Sequence, residues 1–122
     1  MKTYNGALNV DIDEVPHQIL PELVKAQGKA TGNITTAQIQ DAIPAALYSP
    51  ITDSQCYGPE MTSQTCKSNA LENSGQGPIT GQLLQTRADL ILDDGAQNFN
   101  ECAKADDWQD KTLVEQAEWR GY

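Results

Sequence analysis

A chain of 122 residues with 39% hydrophobic and 6% aromatic content has room for one domain and a thin core, and is too short for two comfortable domains. Its 17 acidic residues against 8 basic ones leave a net charge of -9, which argues against nucleic acid or an anionic membrane as a partner, since both need a cationic patch. No window approaches the ~18 apolar residues of a membrane span, and the first 20 residues, with Asp11, Asp13 and Glu14, lack the apolar run of a secretory leader.

In chain order, ILPELVKAQG (19–28) predicts a short helix. Pro21 suits its first turn, Ile19, Leu20, Leu23 and Val24 share a face, and Gly28 stops it. KATGNIT (29–35) reads as a strand in which Gly32 permits close backbone approach. Asp41 then precedes Pro44, and PAAL (44–47) forms the first turn of a second helix. From Tyr48 to Pro78 the residues are dense in Ser, Thr, Asn, Gly and Pro, and no periodic segment is expected. PITGQLLQT (78–86) opens a helix with a stripe of Ile79, Leu83 and Leu84. ADLIL (88–92) is the strongest strand signal, too continuously apolar to be exposed on one face. DDG (93–95) reads as a turn. KTLVEQAEWRGY (111–122) reads as a final helix bearing Leu113, Val114, Ala117 and Trp119 and ending at Gly121. This alternation is α/β with a parallel sheet, although two strands are too few for a sheet covered on both sides.

Nine residues separate Cys56 from Cys66 in CYGPEMTSQTC, a spacing that suits a loop-closing disulfide better than a metal site, for which C-x-x-C pairs and histidines are expected. Cys102 is left without an obvious partner. A disulfide implies an oxidising compartment, and no leader is seen to reach one; a chain expressed as shown would stay in the cytoplasm.

Several longer runs resemble the bacterial alkaline phosphatases: KTYNGALNVDI (2–12), ATGNITTAQIQDAIPAAL (30–47), QCYGPEMTSQTC (55–66), SNALENSGQGPITGQLL (68–84), TRADLIL (86–92) and WQDKTLVEQAEWRGY (108–122). The resemblance implies part of a three-layer α/β/α sandwich, with residues 1–122 forming a single partial domain. It also implies a phosphomonoester substrate, two zinc ions and one magnesium, a serine nucleophile, a homodimer and a periplasmic location. In such enzymes the nucleophile lies shortly before the position of Lys2, and the zinc ligands lie before that point or well beyond Tyr122. These residues are therefore expected to be an early-to-middle slice of the full enzyme.

The same resemblance assigns Asp41 to the magnesium site. Ile43 stands where the family has a threonine ligand, and it offers no oxygen to a hard cation. Ser54 stands where the family has an arginine that clamps the substrate phosphate, and a neutral hydroxyl cannot replace a planar bidentate cation. Asp93 and Asp94 replace glycines, which matters if the backbone there needs positive φ. The expected function is therefore a phosphatase piece that is inactive in isolation; the alternative is a non-catalytic remnant or interaction module.

Other candidates read as ordinary surface or core residues. A lone Asp41 before a helical proline also fits a helix cap. His17, the only histidine, reads as a surface residue. Asp11, Asp13 and Glu14 lack the glycine and closing glutamate of a calcium loop. Asn33-Ile34-Thr35 matches a glycosylation acceptor but falls on the strand. Trp108 and Trp119 read as packing residues.

Overall fold

The computed structural model describes residues 2–122. The elements run α1 (Leu20–Ala26), β1 (Gly32–Gln38), α2 (Ala42–Ala45), α3 (Pro59–Thr65), α4 (Ile79–Thr86), β2 (Leu90–Asp94) and α5 (Leu113–Arg120), with short 3-10 turns at Leu71–Asn73, Ala96–Asn100 and Asp106–Trp108. The two strands pair in parallel, as the α/β alternation requires, in the register Gly32↔Leu90, Asn33↔Ile91 and Ile34↔Leu92. The register then slips, so that Gln38 meets Asp94.

Helix α4 organises the interior. Ile79 packs with Ala45, Ile51, Cys56 and Cys66; Leu83 with Ile39, Tyr48 and Ala88; Leu84 with Ala103 and Leu113. The predicted stripe is present, but burial extends round the helix to Thr80, Gly81 and Gln82 as well. Gln82 satisfies its buried amide on the carbonyls of Pro50, at 3.0 Å, and Gly77, at 2.8 Å. Such pairing is what makes burying an amide tolerable.

Four expectations need correction. The run from Tyr48 to Pro78 contains α3 and the 3-10 turn at Leu71–Asn73, which composition hid because their polar residues bond locally. Thr62 Oγ1 and Ser63 Oγ, for example, donate to the carbonyls of Gly58 and Pro59 in the preceding turn. The strand read at 88–92 begins at Leu90 and continues through Asp93 and Asp94, so the turn is delayed to Gly95. The apolar run does not imply burial: Leu90 is 47% and Leu92 54% exposed, and Ile34, which faces Leu92, is 69% exposed. One face of the pair packs inward through Asn33 and Ile91. Among the described residues no further strand pairs with either edge. On α1, Ile19 is buried while Leu20 and Leu23 are exposed, so the four apolar residues do not form one covered face.

Local chemistry sets the other ends. Gly28, at φ +73°, closes α1, and Glu22 accepts the Ile19 N–H at its start. Thr112 and Glu115 form a reciprocal capping box on α5, each accepting the other's N–H, at 3.2 and 2.7 Å. Glu101 caps α3 from a distant loop by accepting the Glu60 N–H at 2.8 Å. A Cβ on Gly58 would lie 2.5 Å from that carboxylate, so a larger residue there would displace the Glu101 side chain and the cap it makes.

Candidate functional site

Asp41 follows the carboxyl end of β1 and precedes α2, accepting the Ala45 N–H through its backbone carbonyl at 2.9 Å. The carboxyl ends of parallel strands are where open α/β sheets place ligand sites. Its side chain does not cap the helix. Instead Oδ1 accepts the phenolic O–H of Tyr57 at 2.6 Å, in a half-buried setting. That hydrogen bond, reinforced by burial and by the charge of Asp41, pushes the Tyr57 phenol up to about 12.

Tyr57 is itself held on both sides. Cys56 forms a disulfide with Cys66, with Cα atoms 6.4 Å apart, as the spacing predicts. The Tyr57 carbonyl accepts both the N–H and the hydroxyl of Thr80, at 3.1 and 2.8 Å, tying it to the first turn of α4. The disulfide loop thus reaches back to the strand end through one aromatic side chain. Sequence reading missed Tyr57 altogether; the available signal was a tyrosine adjoining a bridged cysteine in an otherwise polar run.

Behind Asp41, Gln40 is fully buried and donates to the Gly95 carbonyl at 2.9 Å, joining the ends of the two strands. Gly95 sits at φ +104°, and a Cβ there would collide with Gln40 Oε1. Asp93 and Asp94 do not occupy left-handed backbone. The condition attached to them is therefore not met, and the positive φ falls on Gly95. Burial, followed by the neighbouring charge of Asp94, raises the Asp93 carboxyl above its ordinary value.

Ile43 is 87% exposed on α2 and directs only hydrocarbon to solvent. Ser54 lies half-buried in the turn before Cys56, its N–H bonded to the Gly6 carbonyl at 2.7 Å. His17 Nε2 lies 3.0 Å from Asp11 Oδ2, and Asp11 Oδ1 accepts the N–H groups of Asp13 and Val15. The acidic segment is thus a self-bonded turn. Asn33 is buried on β1, consistent with the strand reading, and Cys102 is a free, exposed thiol. Trp108 and Trp119 meet edge to face at 5.3 Å, although Trp119 is largely exposed.

Among the described residues, no three or more His, Cys, Asp or Glu side chains are grouped so as to hold a metal ion. The donor chemistry agrees. Two of the three cysteines are joined to each other, the single histidine faces Asp11, and Asp41 has an isoleucine two residues on. These side chains do not by themselves fit magnesium, which takes near-octahedral oxygen ligation, or zinc in a tetrahedral N/S/O shell.

A family model for alkaline phosphatase matches residues 1–122. The alkaline phosphatase of Escherichia fergusonii is 58% identical over the whole chain, which covers 26% of that protein. The streptomycin-6-phosphate phosphatase of Streptomyces griseus is 34% identical over 99% of the chain and 27% of its own length. Among solved structures, a cold-active alkaline phosphatase from a psychrophilic Shewanella aligns with a TM-score of 0.71 at 29% identity, covering 99% of this chain and 23% of that one. The chain therefore spans about a quarter of the length of the relatives it matches, and the partial α/β/α reading of the fold is borne out.

Proposed function

The chain belongs to the alkaline phosphatase family, and from that premise we propose that residues 1–122 are a framework portion of a metal-dependent phosphomonoester hydrolase and do not turn over substrate by themselves. The supporting observation is Asp41: a carboxylate at the right end of the sheet, held by Tyr57, with hydrocarbon at Ile43 in place of a second oxygen. Ser54 adds no cation to grip a phosphate, and a lost charge-assisted contact of that kind weakens binding by about 1.5–3 kcal/mol. The whole enzyme's features, a serine nucleophile, two zinc ions and a magnesium in a periplasmic homodimer acting on phosphate monoesters, are proposed here for the parent protein.

The test is phosphomonoester turnover by the purified 122-residue chain supplied with zinc and magnesium. No turnover above the metal-only background is expected; sustained turnover would overturn the proposal. A second reading, an interaction module that keeps part of the fold, is favoured by the exposed side chains of Ile34, Leu90 and Leu92 on one sheet face. Both readings expect no magnesium-dependent rise in melting temperature. A large rise would count against both.

A further inference from the structure

In this strongly acidic chain, three of the eight basic residues, including both arginines, gather in one cleft of about 400 Å³ between the carboxyl ends of α4 and α5. Lys25, Arg87 and Arg120 line it together with Ala88, Asp89 and Tyr122. One of the three cations is already matched. Lys25 Nζ lies 2.8 Å from Asp89 Oδ2, and that oxygen also accepts the Thr31 N–H at 2.8 Å.

The two guanidinium groups are different. Among the described residues neither forms an ion pair with a carboxylate, although acidic side chains outnumber basic ones 17 to 8. Arg87 spends one of its several N–H donors on the Arg120 carbonyl at 2.8 Å, a bond that also serves the end of α5. Arg120 Nε is buried with no hydrogen-bond partner, a costly state for a charged donor. Arg87 occupies the left-handed region at φ +53°, which non-glycine residues adopt uncommonly. The wall opposite is fixed by Tyr122, whose phenol donates to the Ala88 carbonyl at 3.0 Å.

We infer that this cleft binds a small oxyanion of the phosphate class, gripped by the guanidinium groups of Arg87 and Arg120. Two planar forks with donors to spare suit tetrahedral or planar oxyanions better than a halide. The volume admits a phosphorylated small molecule as readily as the free ion, since ligand pockets run from roughly 300 Å³ upwards. Asp89 at the rim is neutralised by Lys25, so its charge does not cancel the pair. The site lies apart from Asp41 and does not rest on the proposed function.

The test is titration of inorganic phosphate into the purified chain, following the Arg Nε–H resonances by NMR, with acetate and chloride as parallel arms at matched ionic strength. Expected is a saturable shift of the Arg120 Nε–H with phosphate, weaker with acetate and absent with chloride, and affinity at least ~10-fold lower in Arg87→Gln and Arg120→Gln. No saturable phosphate shift, equal response to chloride, or unchanged affinity in the folded variants would overturn the inference. Should a glutamine variant fail to fold, Arg87→Lys keeps the charge and removes the fork. Weaker binding by it supports the assignment and equal binding refutes it.

Discussion

The phenol of Tyr57 donates to Oδ1 of Asp41 at 2.6 Å, linking the disulfide loop to the end of β1. Since the phenol is raised from 10.0 to about 12, its contribution to stability is fully present below pH 10 and is lost as pH rises through 12. A spectrophotometric titration of the tyrosines should show a late-ionising component. Tyr57→Phe should abolish it, and Asp41→Asn should bring it back toward the ordinary phenol range.

Replacing Cys56 and Cys66 together by serine should lower stability by about 2–4 kcal/mol, measured by urea unfolding. Because Tyr57 adjoins the bridge, the late-ionising phenol should also move toward 10.0 in that variant while the chain is still folded. An unchanged phenol titration would mean that the bonds to Thr80 and Gln55 position Tyr57 without the bridge.

Gly95 and Gly28 both have positive φ, yet they differ in surroundings. A Cβ at Gly95 collides with the buried Gln40 amide, whereas nothing lies within 4 Å of one at Gly28. Gly95→Ala should therefore cost about 2–4 kcal/mol and Gly28→Ala only about 1 kcal/mol, compared by thermal unfolding. Equal losses would show that backbone strain outweighs the collision.

Ile34 and Leu92 are register partners on an exposed face, and among the described residues no further strand pairs with either edge. Leu92→Lys should reduce self-association in sedimentation experiments, while leaving unfolding of the monomer within about 0.5 kcal/mol of the parent.

The elements driven by apolar periodicity were legible in the residues. The helices at Ile79–Thr86 and Leu113–Arg120 follow from apolar stripes and the one at Leu20–Ala26 from its proline and glycine; the parallel pairing follows from the alternation of elements, while the first strand lies three residues later than KATGNIT suggests. The bridge between Cys56 and Cys66 followed from spacing. Helix α3 was not legible, because PEMTSQT has no apolar stripe and is held by Glu101, 41 residues beyond Glu60. Nor was burial of the second strand: a run such as LIL announces a strand, but whether a layer covers it depends on other elements. Asp41 could be singled out, whereas its partner Tyr57 could not, since their contact depends on how the loop folds back.

Helix α4 touches all three apolar clusters, and that arrangement has a kinetic corollary. The neighbours of this central rod come from residues 8 to 117, so the three clusters form only as these distant segments come together. Amide exchange along Leu83 and Leu84 should accordingly report whole-molecule opening, while Leu20 and Trp119 exchange through fraying of their own helices.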